Sequence, residues 1–121
     1  MSARPVHSKL SPRIKVWFAW KGGFLMGPNY FRFLEAVDQT GTIREAAKIA
    51  GWSYRTCLNR IRRMEEVLGG PALVTSRGGV AHGGATLTPE VRRMVRLFGR
   101  WRDQMHSLSD RSFRQAIRRT R

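Results

Sequence analysis

The sequence has little of what a secreted, membrane-embedded or metal-dependent protein needs. A single cysteine, Cys57, stands among 121 residues, so no internal disulfide forms and a reducing, cytoplasmic setting is expected. Apolar runs are a handful of residues long, far short of the roughly 20 needed to cross a bilayer, and no membrane partner is expected. Positions 1–12 lack the apolar stretch and small-residue cleavage site of an export signal. His7, His82 and His106 are far apart, and with one thiol they give no metal-ligand spacing; no cofactor is expected. No acid/base pair or nucleophile set stands out, which argues against an enzyme. Negative charge is the scarcest property: 8 acidic residues against 23 Lys and Arg, a formal net charge of +15. Such an excess attracts a polyanion, because displaced counterions drive binding to phosphates. Arginine far outnumbers lysine, which suits forked contacts to phosphate and guanine.

What is present reads as one domain. Positions 1–13 form a flexible basic arm, 14–108 the folded domain and 109–121 a basic tail, with five arginines and one aspartate, expected to be poorly ordered. Ile14, Val16, Phe18 and Trp20 alternate with Lys15, Trp17, Ala19 and Lys21, the period of a strand with one buried face. Gly22-Gly23 makes a turn and Phe24-Leu25-Met26 a short return strand. Trp17 and Trp20 are expected in the core. A helix then starts at Pro28, with Tyr30, Phe33, Leu34 and Val37 on its apolar side, and stops at Thr40-Gly41. Thr42 caps a short helix, Glu45 completes a capping box, and Ile43, Ala46, Ala47 and Ala50 share one face.

After Gly51-Trp52, Ser53 is the N-cap of a helix from Tyr54 to about Leu68. Cys57, Leu58, Ile61, Met64 and Leu68 gather on one side, while Arg55, Thr56, Asn59, Arg62 and Arg63 gather on the other. Trp52 is expected to wedge between the two motif helices, and Cys57 to be a small core residue. Positions 72–77 read as a strand, 78–84 as a loop and 85–88 as the returning strand. Thr88-Pro89-Glu90 caps a last helix whose Val91, Met94, Phe98, Trp101, Met105 and Leu108 step by three and four, the spacing of a coiled-coil seam and a candidate dimer interface. Gly99 interrupts it at a propensity cost of about 1 kcal/mol.

The fold expected is mainly α with small β-hairpins: a winged helix-turn-helix with a C-terminal dimerisation helix. In that arrangement the Ala-rich helix braces the Tyr54–Leu68 helix, whose first half enters the major groove of double-stranded DNA. The candidate DNA-binding residues are Thr42, Ser53, Tyr54, Arg55, Thr56, Asn59, Arg60, Arg62 and Arg63, with Arg77 and His82 on the wing. Arg55 and Asn59 suit paired contacts to base edges; Arg62 and Arg63, further along, suit phosphates. Tyr54 stays open between packing and a phosphate contact.

The stretch Thr42-Ile-Arg-Glu-Ala-Ala-Lys-Ile-Ala-Gly-Trp-Ser-Tyr-Arg-Thr56 resembles the helix-turn-helix of the ModE family of molybdate-responsive regulators. Gly78-Gly-Val-Ala-His-Gly-Gly-Ala-Thr-Leu-Thr-Pro89 is similar to that family's glycine-rich wing and Leu-Thr-Pro helix start. Ile61-Arg-Arg-Met-Glu-Glu-Val-Leu-Gly69 is closer to the LysR family, whose motif is related. The resemblance implies a sequence-specific, nucleoid-associated transcriptional regulator that acts as a homodimer. It does not carry molybdate responsiveness, because the chain is expected to stop short of molybdate-binding domains. Two alternatives remain at this point: a low-specificity architectural DNA binder, favoured by the charge, and an RNA-binding protein, which calls for exposed aromatic residues.

Overall fold

In a computed structural model, residues 6–76 and 83–120 are described; Arg77 and His82 lie outside them. After a 3-10 turn at Val6–Lys9, the order is β1 (Phe18–Trp20), β2 (Gly23–Met26), α1 (Pro28–Thr40), α2 (Ile43–Ala50), α3 (Tyr54–Leu68), β3 (Leu73–Ser76), β4 (Gly84–Leu87) and α4 (Pro89–Arg119). β1 pairs antiparallel with β2, and β3 with β4. This is the expected winged helix-turn-helix with a long C-terminal helix.

The first hairpin is shorter than its alternating sequence predicts. Its turn is Lys21-Gly22, both with positive φ, between the paired Trp20 and Gly23; that left-handed pair matches the twist of a two-residue hairpin. The register shifts between the pairs Phe18↔Met26 and Ala19↔Phe24, so Leu25 is the extra residue of a bulge. A bulge sets two successive side chains toward one face, and Leu25 and Met26 are both buried. Phe18 packs edge-on to Phe98 at 5.2 Å and stacks on Trp101 at 5.5 Å. The expectation that both tryptophans are core residues is overturned: Trp17 is 53% exposed and Trp20 43%. Ile14 is exposed as well, because the strand begins only at Phe18. Pro12, Arg13 and Ile14 line a small cavity together with His106, Ser109 and Asp110 of α4.

Phe33, Leu34, Val37, Ala46, Ala47, Cys57 and Met64 bring α1, α2 and α3 into one core, joined by Leu73, Ala85 and Leu87 of the second hairpin. Burying side chains the size of Phe33 or Phe98 stabilises by about 1.5–3 kcal/mol each. Ala46 and Ala47 of α2 are fully or nearly buried, so the helices cross with little between them. Trp52 wedges between α1 and α3 rather than between the motif helices: it stacks on Phe33 at 5.2 Å and meets Tyr30 at 5.6 Å.

Two expected caps differ. Thr42 accepts from the amide of Glu45 at 3.1 Å, but the Glu45 carboxylate binds Lys48 at 3.1 Å and does not close a capping box. The Thr88 hydroxyl donates to the carbonyls of Pro71 and Ala72, tying the start of α4 to the α3–β3 connection instead of capping the helix. Glu65 secures the same connection by accepting from the Ala72 amide at 2.9 Å.

α4 does not end near Leu108; it continues through the basic tail to Arg119, so the tail is helical. Val91 and Phe98, expected on the dimer seam, are buried in the chain's own core. Phe98 packs on Phe31 of α1 at 5.1 Å, and beside it Arg92 pairs with Asp38 at 3.1 Å and Arg102 lies 4.5 Å over the Phe31 ring. Gly99 belongs to this contact: a Cβ there would come within 3.3 Å of Phe31.

Candidate nucleic-acid interface

The polar face of α3 follows from its spacing. At about 100° per residue, Cys57, Ile61, Met64 and Leu68 point inward, and Arg55, Asn59 and Arg62 fall opposite. Cys57 and Met64 are buried, and Arg55, Asn59, Arg62 and Arg63 are exposed. None of these four takes part in an ion pair among the described residues, and of them only Arg63 lies against an aromatic ring. The start of the helix is fixed by Ser53, whose hydroxyl accepts from the Thr56 amide and donates to the Thr56 hydroxyl, both at 3.0 Å. Ser53 is thereby committed to the cap, and the Thr56 hydroxyl keeps its own proton to offer outward.

The two flanks of that face differ. On one, a cleft of about 640 Å³ runs between the start of α2, the side of α3 at Tyr54 and Leu58, and the wing strands at Ser76 and Gly84. Thr42 lines it, and Tyr54 is exposed there with the Arg44 guanidinium 5.0 Å over its ring. Tyr54 is therefore a surface residue. The wing is held against the motif by the Ala85 amide, which donates to the Gly41 carbonyl at 2.7 Å. On the other flank Arg60 lies 4.3 Å over Trp52 and 5.6 Å from Tyr30, and Arg63 lies 5.5 Å over Phe24. Arg60 is thus displaced from the exposed face toward α1.

The structure sets Thr42 and Tyr54 on one cleft beside the start of α3, leaves Arg55, Asn59 and Arg62 exposed along its polar face, and turns Arg60 and Arg63 toward its other flank. Arg44 of α2, which lines the same cleft, is not among the candidates the sequence offers. Arg44, two residues after the Thr42 cap, was detectable from its place in the first turn of the bracing helix. Cys57 is fully buried, and burial pushes its thiol above the ordinary value despite the opposing Arg60 charge. Among the described residues, no group of histidine, cysteine and carboxylate side chains could hold a metal, and no helix is long and apolar enough to cross a membrane.

Residues 28–92, from the start of α1 to the start of α4, match the family described as bacterial regulatory helix-turn-helix protein, lysR family. The chain is 34% identical over 77 residues to the molybdenum-pterin-binding protein MopB of Rhodobacter capsulatus, covering 64% of this chain and 28% of that protein. It is 32% identical over 89 residues to the molybdenum transport protein ModE of Azotobacter vinelandii, covering 74% and 33% respectively. It is also 32% identical over 71 residues to the transcriptional regulator ModE of Haemophilus influenzae, covering 59% and 28%. The match thus spans about a third or less of these relatives' own length.

Proposed function

The chain belongs to the lysR family of bacterial regulatory helix-turn-helix proteins, and on that premise we propose that it is a transcriptional regulator whose α3 reads the major groove of double-stranded DNA. The observation that carries the reading is the exposed face of Arg55, Asn59 and Arg62, without an ion pair among the described residues and inside the matched region. Arg and Asn are the side chains that make paired hydrogen bonds to guanine and adenine edges. The net charge of +15 supplies the phosphate attraction on which base reading is superimposed.

The dimer is part of the same proposal, with a revised seam. Met94, Leu97, Trp101, Met105 and Leu108 share a face of α4 about a quarter turn from the face buried by Val91, Val95 and Phe98. Leu97 is 59% exposed and Leu108 47%. Beside it an apolar cleft of about 500 Å³ lies between the first hairpin and α4, lined by Phe18, Trp20, Leu25, Met94 and Leu97. An apolar stripe continuous with a cleft suits a second copy of the chain.

A direct test selects fragments from a random duplex pool with the purified protein. The expected outcome is one enriched motif with two-fold symmetry; uniform recovery of all sequences overturns specific reading in favour of an architectural role. A second reading is favoured by exposed Trp17 and Trp20, because bare aromatic rings suit unstacked bases. Competition between structured RNA and the enriched duplex separates the two: preference for RNA overturns the duplex assignment.

A further inference from the structure

The flank of α3 away from the wing holds a cavity of about 220 Å³ that the reading face does not use. Lys15, Arg60 and Arg63 line it, with Phe24, Tyr30 and the first turn of α1. No carboxylate contributes to the lining, and none of the three cations takes part in an ion pair among the described residues. Three like charges around one small volume repel each other unless an anion joins them. The two guanidinium groups are not loose: Arg60 is laid over Trp52 and Tyr30, and Arg63 over Phe24, while Phe24 and Tyr30 pack edge-on at 5.4 Å. The aromatic planes hold the forks in place before any ligand arrives, which lowers the ordering cost of gripping an oxyanion.

The position of the cavity selects the anion. Tyr54 and Leu58, on the wing flank, and Arg60 and Arg63 lie about a quarter turn to either side of the Arg55–Asn59 face. A helix about 10–12 Å across fills a major groove about 12 Å wide, so each flank meets the phosphates of a different strand. We propose that the Lys15–Arg60–Arg63 cavity is a phosphate pocket that grips one backbone phosphate of the DNA strand on the flank away from the wing. The inference rests on the duplex-binding reading above. With the wing cleft on the opposite flank it forms a two-sided clamp that sets how deeply and at what rotation α3 sits in the groove. Lys15, in the segment before β1, thereby becomes part of the DNA-binding surface.

The test pairs protein variants with chemically neutralised phosphates. An enriched duplex is prepared with single methylphosphonate substitutions scanned along each strand, and wild type is compared with Lys15→Gln and Arg63→Gln, both exposed positions, with circular dichroism confirming the fold. Each variant is expected to lose roughly tenfold in affinity, as charged hydrogen bonds do, and to lower the salt slope by about one per half-site phosphate. One methylphosphonate position per half-site should weaken wild type and leave the variants indifferent. If wild type binds the duplex but no phosphate couples to either variant, the pocket proposal fails and duplex binding stands. If wild type binds no duplex, the underlying reading fails. Inorganic phosphate, titrated without DNA and followed by amide shifts of Lys15 and Arg63, separates the remaining source. Sub-millimolar binding there without a coupled backbone position assigns the pocket to a free anion and overturns the clamp.

Discussion

Single residues in this chain divide by what already holds them. Ser53 is an N-cap, and its pairing with Thr56 was readable because a serine before a periodic helix has one dominant use. The exposure of Arg55 and Asn59 was equally legible, since nothing apolar competes for their face. Arg60, a candidate DNA contact, proves to be laid over Trp52 and Tyr30, a stacking that helix angle alone cannot show. Cys57 gives a pH prediction. Burial raises its folded-state pKa above the unfolded value, so the folded protein holds the thiol proton more tightly. This contribution is fully present below the unfolded value, about 8.5, and is lost as pH rises from there through the folded value. Urea melts from pH 7 to 10 should show a decline above about pH 8.5 that is smaller in Cys57→Ala. An identical decline in both proteins assigns the alkaline loss to other groups.

At the scale of elements, α1, α2 and α3 and the two wing strands fall close to their expected limits. Caps, glycine stops and a clear change of period mark each boundary; Gly41, Gly51 and Gly69 each close a helix with positive φ. The first hairpin and α4 were less legible. A bulge leaves no mark in the alternation of β1, and whether a stripe on α4 meets the chain itself or a partner depends on how α4 is rotated over α1. Gly99 shows the same limit: its propensity cost was visible, but the Phe31 ring against it was not. Gly99→Ala gains helix propensity of about 1 kcal/mol, yet its Cβ must displace a ring packed against Phe98 and Arg102. The variant is expected to melt below wild type; a higher melting temperature would mean the ring moves freely. The helical tail gives a second prediction. Removing residues 109–121 takes away five arginines and should flatten the salt dependence of DNA binding while keeping the preferred site. A changed preference would make the tail a reader.

For the whole molecule, the proposed function divides the work between charge and fold: a net charge of +15 would draw the protein to any duplex, and one short helix face would distinguish sequences. On that proposal a two-fold pair of such faces would be needed for a site of useful length. Leu108 is exposed and makes none of the intrachain ring contacts of Trp101, which makes it the cleaner probe of the dimer. Leu108→Asp should sediment as a folded monomer with weakened DNA binding; a wild type already monomeric on DNA would remove the seam from the account. The most direct measurement of the central claim is a base-by-base binding profile on the enriched duplex for wild type, Arg55→Ala and Asn59→Ala. Each variant should relax preference at one defined base position per half-site by about 1–3 kcal/mol, roughly tenfold or more, with the two affected positions related by two-fold symmetry. A uniform loss across all positions would contradict the account, leaving α3 an anchor and passing sequence reading to the wing.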